Sequence, residues 1–507
     1  MRARLIVWLI LSFTLNIKAQ VVTVEDKDSD KPLEMVTLVS QNPRAFAVTN
    51  KEGQADISSF QKCNKIEFRL IGYKPLIIDY DSLKNKSFVL QLEHSRINID
   101  EAVISATRWN QKTSEIPHKI VTISPKTIAL QNPQTAADLL GVSGEVFIQK
   151  SQQGGGSPMI RGFATNRLLY SVDGIRMNTA IFRSGNIQNV ISLDPFAIEH
   201  TEVLCGPGSV IYGSDAIGGV MSFQTISPQV GLSDKLLVTG RAVTRYASSN
   251  NERTGHFHIN VGKGKWASVT SISSNDYGNL RMGNHGPEEY LRQAYVQRYN
   301  QADVVISNDE PKLQRPSGYS QINLMQKLRF KPNENWDLQY GFHFSETSDY
   351  ARYDRHIRSK NGSPRYGEWY YGPQKWMMNH LNITHEKNNP IYDQLTLRLA
   401  QQTFEESRHS RDFNQPDKES RYENVDAWSI NLDMNKSTTK NNTVFYGIEV
   451  VINDVTSTGL NKNITTGSAM PGSSRYPEST WGSYAIFISN QFYISDQMTL
   501  QAGARYN

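Results

Sequence analysis

From about residue 235 onward, apolar and polar residues alternate one for one over stretches of about ten residues. Trp336, Leu338, Tyr340, Phe342 and Phe344 share one face, and Asp337, Gln339, His343 and Ser345 the other. Ile322, Leu324, Leu328 and Phe330 oppose Gln321, Asn323, Lys327 and Arg329. Trp428, Ile430, Leu432 and Met434 oppose Ser429, Asn431, Asp433 and Asn435, and Val444, Tyr446, Ile448, Val450 and Ile452 oppose Glu449 and Asn453. A period of two is a β-strand with one apolar face. Alternation alone suits a soluble sandwich as well as a membrane barrel, but connection lengths separate the two. Strands near 235–246, 253–263, 266–276, 319–331, 336–347, 376–387, 391–404, 425–436, 443–453, 481–493 and 498–507 leave gaps that alternate long and short after the third. Membrane barrels have short turns at one rim and long loops at the other. The pattern predicts a partial antiparallel transmembrane β-barrel over 229–507, with 277–318, 348–375, 405–424 and 454–480 at the outer rim. Closed barrels of the plugged kind have about 22 strands, so these eleven predict about half a barrel. Unpaired edges in lipid are prohibitively costly. The expectation is therefore of a partial product that ends inside a strand, at Ala502–Asn507, rather than of two halves pairing.

The stretch Arg161–Thr225 is of another kind. It contains Arg161-Gly162-Phe163, then Val172-Asp173-Gly174, then Glu202-Val203-Leu204-Cys205-Gly206-Pro207-Gly208-Ser209, then Tyr212-Gly213-Ser214-Asp215-Ala216-Ile217-Gly218-Gly219-Val220. Short apolar runs between glycines read as strands joined by crowded turns. A phosphate loop is excluded, because no Gly-Lys-Ser/Thr ending is present and no Gly-x-Gly-x-x-Gly opens a helix. The ordered motifs resemble the plug domain of TonB-dependent outer-membrane receptors over roughly 115–225, with Cys205 where that family usually has arginine. The resemblance implies an α+β plug domain, placed at 111–228, and carries Arg161, Gly162, Asp173, Gly174, Glu202, Gly206, Gly208, Tyr212, Gly213, Gly218 and Gly219 as its structural motif.

Ahead of the plug, residues 1–19 read as an export signal. Arg2 and Arg4 precede the apolar run Leu5–Leu15, which is too short to span a bilayer, and Ala19 offers a cleavage site. Basic and acidic residues nearly balance, 54 against 49, so nothing argues for nucleic acid. No later apolar run reaches the roughly 18 residues of a membrane helix. Two cysteines, Cys63 and Cys205, fall in different domains and are expected unbridged. Short alternating runs at Val22–Val24, Met35–Val39, Ile66–Ile71, Leu76–Ile78 and Phe88–Leu92 predict a small β-sandwich over 20–94. Its signposts resemble the carboxypeptidase-regulatory-like domain that precedes many receptors of the Bacteroidetes type. No catalytic or metal-ligand set accompanies it, so no enzyme activity and no cofactor is inferred.

Between these domains, in the linker 95–110, Asp100-Glu101-Ala102-Val103-Ile104-Ser105-Ala106 resembles the family's TonB box. Small and β-branched residues suit strand addition to a partner's sheet edge. The resemblance therefore implies coupling to the inner-membrane TonB complex. Within the plug, a short helix is expected in 126–140, begun at Asn132-Pro133. The loops 152–157 and 175–189, the latter with Phe182 and Arg183, would face the ligand. The outer loop 348–375 carries Arg352, Tyr353, His356, Tyr366, Trp369 and Tyr370. Arginines and aromatic faces suit a bulky anionic or aromatic ligand, and His285, His356 and His409 are possible haem ligands. The whole reads as an outer-membrane importer of a small-molecule ferric chelate, siderophore or haem, embedded in outer-membrane lipid. Uptake of cobalamin or oligosaccharide, or surface binding and signalling without transport, are the alternatives.

Overall fold

A computed structural model describes residues 20–27, 29–41, 43–70, 73, 75–93, 102–103, 108, 111–112, 116–181, 189–231, 235–495 and 497–507. The chain divides into two compact units, Met1–Glu101 and Ala102–Asn507. The export signal, most of the TonB-box-like segment, and Phe182 and Arg183 lie outside the described residues.

The first unit is two small sheets around one core. Strands Gln54–Asp56, Val21–Asp26 and Val89–Leu92 form one sheet, and Arg44–Val48, Thr37–Gln41, Ile66–Arg69 and Leu76–Ile78 the other. Alternation sets the inward faces: Val22, Val24, Leu38, Ile66, Phe68 and Leu90 are buried together. The strands 44–48 and 54–56 and the helix Tyr80–Asn85 are additions to the sequence reading. The Asp79 side chain caps that helix by accepting from the Ser82 N–H, which ends an apolar run that otherwise reads as strand.

In the second unit, five strands form the centre of the plug in the order Lys119–Ile123, Ile198–Cys205, Gly219–Thr225, Leu168–Val172, Ile175–Arg176. The expected helix is two helices. Pro125–Gln131 is capped by Ser124 and stopped by Asn132 in the left-handed region, and Ala136–Gly141 begins with a Thr135/Asp138 capping box. Asn132-Pro133 therefore ends a helix rather than beginning one. Asp173 and Gly174 have φ of 52° and 80°, and Val172 pairs with Ile175, so these two residues form a tight hairpin turn that needs positive φ at both positions.

Eleven further strands form one antiparallel path: 237–247, 252–263, 266–277, 319–330, 336–347, 375–386, 394–412, 417–439, 442–463, 479–495 and 498–506. Burial along them is inverted relative to a soluble protein. Ile430 is 48 % exposed and Asn431 3 %; Ile448 is 46 % exposed and Glu449 1 %. The exposed face is apolar and the buried face carries the polar residues, which is the pattern of a sheet with lipid outside and protein inside. Two buried rows run across the strands. Trp376, Phe404, Val425 and Val455 are register partners in an apolar row toward the long-loop rim. Gln339, Asn382, Arg398, Asn431 and Glu449 are partners in a polar row. Trp376 and Asn382 share a strand, and the six positions between them place the polar row about 20 Å nearer the short-turn rim. The plug packs on the apolar row through Ile123, Leu140, Met177, Val203 and Phe223.

Two loop expectations are corrected. Residues 454–463 continue the strand Asn442–Asn463, paired with 417–426, so that loop is shorter than expected. Residues 405–424 are not a loop, because Glu405 to Ser410 pair with Asn424 to Glu419 and only 413–416 turn. The segment is polar because it stands beyond the lipid-facing band, and a ladder needs no apolar face where water covers it. The loop 278–318 holds its own hairpin, Ala294–Tyr299 with Ala302–Ser307. Within 348–374, Tyr366–Tyr371 adds as an extra strand beside Arg408–Asp412.

Candidate functional site

Three polar assemblies and one loop cluster are among the many contacts between plug and wall. The first surrounds Glu449. Arg108, the first described residue after the TonB-box-like segment, ion-pairs with Glu449 and stands 3.6 Å from Asp433. Both carboxylates and the guanidinium are almost wholly buried. Arg505 donates to Glu449 at 2.9 Å and to the Ile211 carbonyl at 2.8 Å, and Asn431 donates to Glu449 at 2.9 Å. Arg398 ion-pairs with Asp433 and donates to the Arg108 carbonyl at 3.1 Å. Arg176, paired with Asp215, reaches Glu449 at 3.7 Å. Arg108 also lies 4.5 Å above the buried Tyr212 ring. Burial alone would lower the Arg108 pKa, but Glu449 and Asp433 hold it above the usual arginine value, so it stays charged.

The second assembly holds the Asp173-Gly174 turn. Lys327 approaches Asp173 Oδ2 at 2.9 Å, and Thr225 donates to the carboxylate through its N–H at 3.0 Å and its hydroxyl at 2.8 Å. Burial would raise the Asp173 pKa, but Lys327, His343 and His380 hold it well below the usual carboxylate range. A Cβ at Gly174 would stand 2.7 Å from Arg398 Nε, so glycine here lets the turn dock under a wall arginine. A third contact joins plug to wall at Asp194, which accepts from Ser273 at 2.6 Å and from the Phe196 N–H at 3.0 Å. Desolvation pushes its pKa up to about 6.

At the long-loop rim, Ile191 of the plug packs with Tyr277, Tyr319, Tyr350, Trp369 and Tyr371. The Arg352 guanidinium lies 5.1 Å from the Trp369 ring and donates to the Tyr371 hydroxyl at 3.0 Å. Beside this cluster a cavity of about 640 Å³ is lined by Tyr290, Arg292, Tyr295, Tyr353, His356 and Arg358, among others. Tyr353 and His356 thus line it, whereas Arg352 and Trp369 form packed structure beside it. Tyr366 lies in the added strand under Arg365, and Tyr370 stacks on His409 and accepts from Lys418. His356 is buried, which lowers its pKa, and its Nε2 is 2.9 Å from the Trp369 carbonyl. His409 has both ring nitrogens engaged by Ser420 and Ser407. With both nitrogens engaged, His409 has none left for a haem iron.

The family model of the TonB-dependent receptor plug domain matches residues 112–220. Residues 112–220 are thus a TonB-dependent receptor plug domain. The chain is 27 % identical over 272 residues to a vitamin B12 transporter BtuB of Vibrio vulnificus, covering 53 % of this chain and 38 % of that protein. It is 26 % identical over 201 residues to a hemin receptor of Yersinia pestis, covering 38 % and 28 %. These matches span less than two fifths of either relative. Among solved structures, the copper transporter OprC has a TM-score of 0.58 at 13 % identity, covering 76 % of this chain and 54 % of that one. The unliganded ferric citrate transporter FecA has 0.54 at 14 %, covering 77 % and 56 %. At such identities these two likenesses concern the fold.

The structure gives the plug's motif residues different places. Arg161 and Gly162 form an exposed two-residue turn between Ser157–Ile160 and Phe163–Ala164. Glu202 is buried in the central plug strand, and Gly206, Gly208, Gly213, Gly218 and Gly219 shape the chain around it. A Cβ at Gly218 would meet Phe163 at 2.4 Å. Of this set, Asp173, Gly174, Gly213 and Tyr212 reach the polar assemblies or the wall. Of the TonB-box-like residues, Ala102 and Val103 are described, as a short strand paired with Gln111–Lys112. Asp100, Glu101, Ile104, Ser105 and Ala106 lie outside the described residues. Sequence reasoning missed Arg108, Arg176, Arg398 and Arg505 as a group. The available signal was a charge on the inward face of a membrane strand, at Asp433 and Glu449, which demands a partner.

Proposed function

We propose that this receptor imports a ferric chelate, siderophore or haem, across an outer membrane into the periplasm and is energised through TonB. The reading rests on one observation: a plug is packed across the polar face of a sheet whose opposite face is apolar and exposed. Such a plug closes a lumen and must be moved for cargo to pass. Residues 100–106 are the point of pull, and the short strand at Ala102–Val103 suits addition to a TonB sheet edge. The first unit stands on the periplasmic side, with the division at 20–94, 95–110, 111–228 and 229–507. Ligand is taken at the long-loop rim, by the cavity at Tyr353 and His356 with Arg292 and Arg358, and by the plug loop with Phe182 and Arg183. The guanidinium and phenol lining suits an anionic chelate. The protein is a transporter rather than an enzyme.

Val103→Pro removes the backbone donor at the coupling strand. We expect uptake of radio-iron chelate to stop while binding to whole cells persists; normal uptake by this variant defeats the coupling assignment. A second reading, cobalamin uptake, is favoured by the match to a vitamin B12 transporter. Binding of cobalamin in preference to ferric siderophore and haem would establish it over the iron reading.

A further inference from the structure

The Asp173 assembly has a feature that docking of a turn does not require. His343 and His380 stand on neighbouring wall strands, 336–347 and 375–386, with their rings stacked 5.5 Å apart. Their Nε2 atoms lie 3.4 and 3.7 Å from the same Asp173 oxygen. Both side chains are more than nine-tenths buried, yet His343 Nε2 and both nitrogens of His380 make no hydrogen bond of good geometry. Buried imidazole nitrogens without partners are costly. The wall even leaves room for one ring: a Cβ at Gly341, the register partner of His380, would lie 2.0 Å from His380 Nε2.

We propose that Asp173, His343 and His380 form a binding site for a divalent transition-metal ion of the zinc and cobalt class, bridging the plug to the wall. One carboxylate and two imidazoles are a ligand set for such ions. Bonds of about 2.1 Å in a tetrahedron put neighbouring donors about 3.4 Å apart, close to the two carboxylate–imidazole spacings. The three donor atoms all lie within 4.8 Å of one another, so small ring rotations bring the histidines onto one ion. Thr225 already fixes the carboxylate, as an outer ligand-orienting partner does. A polar cavity of about 200 Å³, lined by Asp173, Gln224 and Asn382, leads to it. Lys327 now supplies the positive charge at Asp173 Oδ2. The ion displaces that ammonium toward the Thr225 carbonyl, 3.2 Å from Nζ. Lys327 is thus the competitor that tunes the affinity.

The test uses the full chain in detergent, treated with chelator, desalted and titrated with Co²⁺. The expected result is one equivalent bound with the visible absorption of a low-coordinate cobalt site. His343→Gln and His380→Asn should each weaken that binding at least tenfold. Lys327→Met should tighten it at least tenfold, an effect that misfolding cannot imitate. Absorption that survives both histidine substitutions belongs to surface histidines and overturns the proposal. So does unchanged affinity in Lys327→Met. Neither result depends on the identity of the imported ligand.

Discussion

Glu449→Gln removes one charge from the centre of the plug–wall contact while keeping the side chain's size. In the wild-type chain that carboxylate receives Arg108, Arg505 and Asn431, with Arg176 at 3.7 Å. After substitution, Arg108 retains only Asp433, 3.6 Å away, and both are about 2 % exposed. Removing one partner from a buried ion pair costs about 3–5 kcal/mol, because the other charge stays buried and unpaired. The plug edge at Lys119–Ile123, which pairs with the strand ending at Cys205, follows directly in the chain from Arg108. Cys205 is 3 % exposed and reacts only when that edge opens. With Cys63→Ser as background, Cys205 is the sole thiol. Its labelling rate by a small maleimide then reports the opening equilibrium. The expected acceleration in Glu449→Gln is roughly 150- to 5,000-fold. Glu419→Gln is the control, since the Glu419–Arg421 pair is largely exposed, and should change the rate less than about fivefold. Equal labelling in Glu449→Gln and Glu419→Gln would refute the claim that this carboxylate holds the plug. Arg108→Met combined with Glu449→Leu should label more slowly than Glu449→Gln, because Arg108 is no longer stranded while Arg505 loses the same partner in both variants.

Three further outcomes follow from single contacts. The Asp194 pKa is raised from 3.8 to about 6, so its proton favours the folded state below about pH 4 and that support is lost as pH rises through 6. At pH 8 the buried carboxylate costs about 3 kcal/mol, so Asp194→Asn should raise the melting midpoint at pH 8 and not at pH 4; equal gains at both would count against desolvation as the cause. Gly174→Ala adds a Cβ at φ 80° and crowds Arg398, and should lower stability by about 1–3 kcal/mol in chemical melts. An unchanged midpoint would mean the turn does not dock as described. Ile448→Arg places a charge on the apolar outer face and should cost about 2–4 kcal/mol in bilayer insertion. Insertion at the wild-type yield would show that this face meets water.

The eleven wall strands were legible because a period of two survives any tertiary context that keeps one face apolar. The extension of two strands through 405–424 was not, since outside the lipid nothing forces Glu405 to Ser410 into alternation. The plug's glycine turns were legible where geometry demands positive φ, as at Asp173-Gly174. Their charged partners were not, because Arg108 and Glu449 are 341 positions apart and only the register of several strands brings them together. Composition marked 348–375 as rich in arginine and aromatic residues, and so it is. The same residue types also build a packed loop core, and the structure divides them: Tyr353 and His356 line the cavity, while Arg352 and Trp369 hold the loop to itself.

The two buried rows explain how a plug can be both firm and releasable. The apolar row at Trp376, Phe404, Val425 and Val455 loses contact gradually, in proportion to the area exposed. The ionic layer behaves differently. Dry, each pair is held by the cost of leaving its partner unpaired in a poor dielectric. Once water reaches it, the same pair is worth at most about 1 kcal/mol. On the proposed coupling, a force applied ahead of Arg108 would load this layer before the apolar row, because Arg108 is the described residue nearest Ala102–Val103 that also grips the wall. A small displacement that admits water would then remove most of the resistance at one step. A plug held only by apolar contacts would yield in proportion to the pull, whereas this arrangement would hold until the layer is wetted.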